Sequence, residues 1–193
     1  MFSPVLIIAC GGKSERMGID KCLLNYHGLP QYLHLQKIFK PHFPEIYFSI
    51  RKEQFATFSA VENTIPDIDQ FAGHGPISGL LSCATTFPDR SILFIGCDYP
   101  LLSVNDILKL TTDFKNENPT AYFNEFYEPL LAYYSVNSLD ILTSEFEKGN
   151  FSLQKFLAKI STNKILADDI RRIKSIDTKE EFDELLTEIN KIS

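Results

Sequence analysis

The chain has 193 residues with a net charge of −6, a hydrophobic share of 44% and no apolar run long enough to cross a bilayer. That length suits one domain, residues 1–193, with room for a substantial core, and the acidic balance argues against sequence-independent nucleic-acid binding through a basic surface. The N-terminus lacks a basic segment followed by a signal-like apolar stretch, so a cytoplasmic protein with no membrane and no nucleic-acid partner is expected.

Val5 to Ile8 is a continuous β-branched and apolar run, as expected of a parallel strand covered on both faces. Ala9-Cys10-Gly11-Gly12 follows, then a stretch through Gly18 to Lys21 that carries Lys13, Arg16 and Lys21. Glycines let backbone N–H groups approach a ligand and converge on an anion, and the cations supply compensating charge, so the composition is that of a loop holding a polyphosphate. Its spacing fits neither a P-loop nor a Gly-x-Gly-x-x-Gly dinucleotide turn. The plainer alternative is a tight βα connection with a solvated charged face.

Leu23 to Gly28 reads as a short turn-bounded segment, and Pro30 opens a helix over Tyr32–Phe39 that Pro41 and Pro44 end. Ile46 to Ile50 is the second strand, and a short third lies near Thr64-Ile65. After a loop rich in Asp and Gly, a helix begins past Gly75-Pro76 and carries Leu80, Leu81 and Ala84. Ile92 to Ile95 is a fully apolar fourth strand that ends at Gly96-Cys97-Asp98-Tyr99-Pro100, and Ser103 caps a helix predicted to reach Phe114. Alternation of strands and helices over this half argues for a parallel sheet with right-handed crossovers. Ligands of such sheets sit beyond the carboxyl ends of the strands, so the glycine loop and Asp98 should share one edge. A carboxylate there is placed to hold a hard cation against phosphate oxygens, although an Asp before a Pro also simply starts turns.

Downstream, Thr120–Phe123 and Leu130–Tyr134 read as strands, and Ser138–Glu147 and Ser152–Ile160 as helices. Ile173–Ile176 reads as a strand, followed by an amphipathic helix over Thr178–Ile192 with Phe182, Leu185, Leu186 and Ile189 on one face. Asp177-Thr178 with Glu181 suits a helix N-cap. The four cysteines, Cys10, Cys22, Cys83 and Cys97, lack metal-site spacing and are expected reduced, as small hydrophobes in or beside apolar segments; Cys10, in the loop, has no base supplied for it. The four histidines share no ligand spacing, and the sixteen phenylalanines, set among Leu and Ile, belong to a core.

The ordered set Gly11-Gly12-x-Ser14-x-Arg16-Met17-Gly18-x-Asp20-Lys21 resembles the signature loop of the MobA-like nucleotidyltransferases, with Ala9-Cys10 where the family usually has Leu-Ala. Cys97-Asp98-Tyr99-Pro100 resembles the family's Cys-Asp-x-Pro, whose aspartate binds magnesium. Gly75-Pro76-Ile77-Ser78-Gly79 resembles its Gly-Pro-Leu-Ala-Gly turn beside the nucleotide. Asp69 lies at the offset of a nucleotide-contacting aspartate, with Asp67 a close competitor. Glu128 to Tyr134 and Gly149 to Leu153 are similar to two weaker family motifs. Ser175 to Phe182 parallels a segment that faces the acceptor pterin, with Ser175 and Asp177 in place of its two asparagines; in related sugar nucleotidyltransferases a carboxylate at that place binds metal.

The resemblance implies a nucleotide-diphospho-sugar transferase-like fold, a Rossmann-like three-layer α/β/α sandwich with a mostly parallel central sheet. Residues 1–115 would form the nucleotide-binding half and 116–193 the acceptor-binding half. It implies transfer of GMP from GTP to molybdopterin or molybdenum cofactor with Mg²⁺ and pyrophosphate release, and contact with other molybdenum cofactor biosynthesis or molybdoenzyme maturation proteins. Arg16, Lys21 and Asp98 would be catalytic, Asp98 the metal ligand, and Ala9, Cys10, Gly11, Gly12, Lys21, Asp69, Gly75 and Asp98 the nucleotide contacts. A CTP-using enzyme, a sugar- or polyol-phosphate nucleotidyltransferase and a nucleotide-binding maturation factor stay open as alternatives.

Overall fold

Strand β1 (Val5–Ala9) lies near the centre of a seven-stranded sheet and is buried from Val5 to Ile8. The computed structural model describes residues 3–12, 18–112 and 118–192. Its other strands are β2 (Ile46–Ile50), β3 (Thr64–Pro66), β4 (Ile92–Gly96), β5 (Thr120–Phe123), β6 (Tyr127–Tyr134) and β7 (Asn163–Ile165), in the order β3-β2-β1-β4-β6-β5-β7. β1 pairs in parallel with β2 and β4, β2 with β3, and β5 with β7. β6 is antiparallel to both β4 and β5, so it alone runs against the other described strands. The carboxyl ends of β1 to β4 therefore share one edge, and the register Ile95↔Leu131 brings the start of β6 to that edge as well.

Alternate residues of β1 feed opposite cores, which is why the strand is apolar throughout rather than alternating. Leu6 and Ile8 pack with Leu35 and Phe39 of α1 (Gln31–Phe39) and with Ile107 and Leu110 of α3 (Val104–Leu110). Val5 and Ile7 pack with Ile77, Leu80 and Leu81 of α2 (Pro76–Thr86), Leu139 and Leu142 of α4 (Val136–Glu147), and Leu153 and Phe156 of α5 (Leu153–Lys159). The result is the expected three-layer α/β/α sandwich with a mostly parallel sheet. Pro76 opens α2, Ser103 caps α3 by accepting from the Asp106 N–H, and Ser135 and Ser152 cap α4 and α5.

The apolar stripe of α6 (Lys179–Ile192) forms a third, smaller cluster: Phe182, Leu185 and Ile189 meet Leu24, Tyr26 and Ile176. This contact holds the C-terminal segment against residues just after Lys21.

Several boundaries differ from expectation. Ile173–Ile176 is not a strand: a 3₁₀ turn spans Ile170–Ile173, and the residues after it reach the sheet edge through the Ile176 N–H, which donates to the Asp98 carbonyl at 2.9 Å. Ile173 and Ile176 are apolar because they bury into two cores, not because they join a ladder. α3 ends at Leu110, where the Thr111 N–H turns back to the Leu108 carbonyl at 2.9 Å, and Phe114 lies outside the described residues. β6 begins at Tyr127, before Pro129, and its pairing with β5 shifts register between Ala121 and Phe123. Such a shift lets a strand carry a proline that cannot donate to the ladder. β7, three residues reading Asn-Lys-Ile, has no apolar run to announce it.

Candidate active site

Beyond the carboxyl ends of β1, β2 and β4 lies a cavity of about 390 Å³. Ala9, Cys10, Gly11 and Gly12 form one side, Lys21, Cys97 and Asp98 another, and Ser49, Arg51, Asp67, Gly73, Gly75, Pro76 and Gly79 a third. Most of the residues proposed for nucleotide contact thus meet in one place. The chain leaves β1 through two sheet-like bonds: the Cys10 N–H donates to the Ser49 carbonyl at 2.8 Å, and the Cys97 N–H to the Ala9 carbonyl at 3.1 Å. A β-carbon on Gly11 would stand 3.3 Å from Cγ of Arg51, so glycine allows the turn to pass the end of β2.

Both ends of the loop are tied to the turn after β2. The Gln54 amide donates to the Cys10 carbonyl at 3.0 Å and to the Asp20 carboxylate at 2.9 Å, and the Arg51 guanidinium donates to Asp20 at 3.3 Å. Arg51 lines the cavity, and its buried Nε has no partner among the described residues. Arg16 lies outside the described residues, as do Lys13 and Met17.

Lys21 stands between two carboxylates. Its ammonium is 3.5 Å from Asp98 Oδ2 and donates to Asp177 Oδ1, which comes from the segment leading into α6. Burial works against the Lys21 charge, but the hydrogen bond it donates to Asp177 and the field of Asp98 outweigh it and raise its pKa. For Asp98 the balance is reversed: burial lifts its pKa, and the opposing pull of Lys21 does not cancel that. Asp98 Oδ1 is buried with no hydrogen-bond partner among the described residues. An oxygen left in that condition carries a desolvation penalty that a cation would remove, so Asp98 fits a hard divalent ion, and Asp177 brings a second carboxylate to the same place. Gly96 makes room for this carboxylate, because a β-carbon there would overlap Asp98 Oδ1 and lie 2.9 Å from Cε2 of Tyr99. Ser175 donates to Asp177 Oδ2 at 3.3 Å, and Glu181 accepts from the Asp177 and Thr178 N–H groups, so the expected N-cap geometry coexists with the Lys21 contact.

Asp69 is exposed and paired with Lys52, away from the cavity, whereas Asp67 lines it. The difference is one of strand direction: Asp67 follows β3 directly and its N–H donates to the Ile50 carbonyl at 3.0 Å, so its side chain stays at the sheet edge. Burial, with Glu53 nearby, pushes the Asp67 carboxyl up to about 6 despite Arg51 and Lys52. Gly79 faces Ser49 and Asp67 so closely that a β-carbon would overlap the Ser49 hydroxyl. Ser49 and Arg51 went unremarked in the sequence, though a position at the end of a parallel strand was signal enough.

All four cysteines are free. Cys10, Cys22 and Cys97 belong to one buried core cluster, and burial among neighbouring thiols holds the Cys10 and Cys97 thiols well above the ordinary range. No group of three or more metal-ligating side chains and no helix long and apolar enough to cross a membrane occurs among the described residues.

A family model described as a MobA-like NTP transferase domain matches residues 6–163. The chain is 25% identical over 183 residues to a molybdenum cofactor guanylyltransferase of Pseudomonas putida, covering 91% of this chain and 93% of that one. It is 27% identical over 183 residues to a molybdenum cofactor biosynthesis bifunctional protein of Synechocystis sp., covering 93% of this chain but 52% of that protein, so it spans about half of that relative's length. Among solved structures, the molybdopterin-guanine dinucleotide biosynthesis protein A of Archaeoglobus fulgidus superposes with a TM-score of 0.79 at 18% identity, over 96% of this chain and 98% of that one. That likeness is one of fold, and it is the nucleotide-diphospho-sugar transferase-like sandwich that the sequence resemblance implied.

Proposed function

The chain belongs to the MobA-like NTP transferase family, and on that premise we propose that it transfers GMP from GTP to molybdopterin, or to the molybdenum cofactor built on it, releasing pyrophosphate and forming the guanine dinucleotide cofactor. The observation that carries this reading is the meeting of the glycine turn, Lys21 and Asp98 around one cavity at the sheet edge. The curated relatives named above support the choice of nucleotide and acceptor.

In the reaction an oxygen of the acceptor's phosphate attacks the α-phosphorus of GTP, the bond from that phosphorus to the bridging oxygen breaks, and pyrophosphate leaves with the bonding electrons. The nucleophile is already anionic at neutral pH, so the protein needs no strong general base, and its work is positioning and charge compensation. Gly11 and Gly12 admit the phosphates to backbone N–H groups, and Arg16 and Lys21 bear on their charge. The raised pKa of Lys21 keeps it cationic throughout the neutral range. Arg51, with a buried donor to spare, adds a cation on the cavity wall. Asp98 would hold Mg²⁺, which when bound supplies positive charge against the phosphate oxygens. Ala9, Cys10, Gly75 and Asp67 would complete the nucleotide site within residues 1–115, and residues 116–193 would contribute the acceptor side. Asp69, exposed and held by Lys52, would lie outside the contacts.

The test is pyrophosphate release by purified protein with Mg²⁺ and each of GTP, CTP, ATP and UTP, with and without molybdopterin. Release with GTP that requires molybdopterin is expected. Release with CTP instead overturns the choice of base, and silence with all four overturns the acceptor.

One observation favours a second reading, a sugar- or polyol-phosphate nucleotidyltransferase. Asp177 shares Lys21 with Asp98, where a second metal-binding carboxylate would serve such an enzyme. In that case Asp177→Asn abolishes activity; in the pterin reading the change is mild.

A further inference from the structure

One wall of the cavity is the turn that leads into α2. Residues 72–76 of this turn are exposed, and Gly73 and Gly75, which line the cavity, have φ of 87° and 75°, a region glycine visits at no steric cost. The Ser78 hydroxyl ties the turn to α2, accepting from the His74 N–H at 3.0 Å and donating to the Phe71 carbonyl at 2.5 Å. A distant part of the chain braces its outer side. The His74 ring stacks on Phe151, with ring centres 4.0 Å apart and planes 32° from parallel. Both rings meet Phe146 near the end of α4, at 5.1 and 5.0 Å, and Phe146 meets the buried Phe71 edge-on at 5.3 Å. Phe151 is held in its turn by the chain before it: the Gly149 and Asn150 N–H groups donate to the Phe146 and Glu145 carbonyls at 2.9 and 3.0 Å, and the Asn150 amide donates to the Glu145 carboxylate at 3.0 Å.

We propose that His74 and Phe151 are positioning residues for the nucleotide: their stack holds the Gly73–Gly75 turn in the shape that completes the cavity. The cavity meets the two glycines rather than the His74 ring, so the pair acts through the backbone of the turn. An exposed segment with two glycines gives up much backbone freedom when it is ordered. Without the stack the turn holds its binding shape for a smaller fraction of the time, and the apparent affinity falls by that fraction. An aromatic pair of this geometry is worth about two- to tenfold in such an equilibrium. Once nucleotide is bound the turn is ordered with or without the stack, so the loss falls on KM and not on kcat. The pair also gives the α4–α5 junction a direct hold on the cavity wall, which links the two halves of the chain. The effect on nucleotide rests on the function proposed above; the bracing of the turn does not.

The experiment measures amide hydrogen exchange of the unliganded full-length protein, equilibrium binding of GTP with Mg²⁺, and pyrophosphate release. It compares wild type with His74→Ala, Phe151→Ala, the double variant and the conservative Phe151→Tyr. In each Ala variant, exchange over residues 71–77 should quicken at least twofold while β1 and β4 keep their wild-type rates. GTP affinity and KM should weaken about two- to tenfold, with kcat changed by less than about twofold. The double variant should lose no more than either single one, because one stack is removed in all three, and Phe151→Tyr should restore wild-type behaviour. Unchanged exchange at the turn, faster exchange that extends to β1 and β4, additive losses in the double variant, or unchanged GTP affinity in the Ala variants overturns the proposal. Failure of the wild type to bind GTP counts against the nucleotide reading instead, and the exchange measurement still decides whether the stack holds the turn.

Discussion

Replacing Lys21 with Met keeps the aliphatic stem and removes the charge between Asp98 and Asp177. Lys21 and Asp98 are each 17% exposed and Asp177 is 48% exposed, so the triad is screened on one side only. Breaking a fully buried pair costs about 3–5 kcal/mol. Here solvent reaches Asp177, and the already elevated pKa of Asp98 lets that group take up a proton instead of staying as an unpaired charge, so the cost at neutral pH should be about 1–2 kcal/mol. Turnover should fall at least tenfold, equivalent to about 1.4 kcal/mol of barrier. A further consequence separates this from simple damage: two carboxylates without their cation should bind Mg²⁺ better in the absence of nucleotide. Urea denaturation with and without Mg²⁺ should show a larger metal-dependent gain in the variant than in the wild type, and pyrophosphate release should show the rate loss. Near-wild-type release by Lys21→Met would refute the role assigned to Lys21, and an unchanged response to Mg²⁺ would refute the account of the two carboxylates.

Gly96→Ala places a methyl group against the Asp98 carboxylate, 2.9 Å from Tyr99 Cε2 and 3.3 Å from Leu130 Cβ; overpacking of this kind should cost about 1–3 kcal/mol and lower turnover at least tenfold, and wild-type behaviour in denaturation and pyrophosphate assays would contradict the crowding argument. The Asp67 carboxyl is raised from 3.8 to about 6, so the folded state holds its proton more tightly than the unfolded chain. The associated stability is fully present below pH 3.8 and is lost as pH rises through about 6. The full shift corresponds to about 3 kcal/mol, which solvent screening reduces to about 1 kcal/mol; Asp67→Asn should therefore be more stable than wild type above pH 7 and no more stable near pH 4, as read from paired urea melts at the two pH values. Asp69→Ala, altering an exposed carboxylate, should shift stability by less than about 0.5 kcal/mol and leave GTP affinity unchanged; a marked loss of binding would return Asp69 to the site.

Much of this protein was legible one segment at a time. The buried strands announce themselves because a parallel strand covered by helices must be apolar on both faces, and Pro76, Ser103 and Ser152 mark helix starts through local geometry. The placement of the glycine turn and Asp98 on one edge followed from their position immediately after such strands. Where local pattern was ambiguous, burial decided: Ile173 and Ile176 look like a strand because two separate cores need apolar residues there. The short β7 lacks a pattern because an edge strand of three residues buries little.

The sequence by itself determined the class of fold, the phosphate-holding composition of the loop and the carboxylate at the end of β4, since each depends on residues close together in the chain. Only the tertiary structure decided that Asp67 rather than Asp69 faces the cavity, that Asp177 shares Lys21 with Asp98, that Arg51 stands on the cavity wall and that Cys10, Cys22 and Cys97 share one core cluster. Those contacts join segments far apart in sequence, and they form only when the sheet order, the reversed β6 and the docking of α6 bring their backbones to one edge.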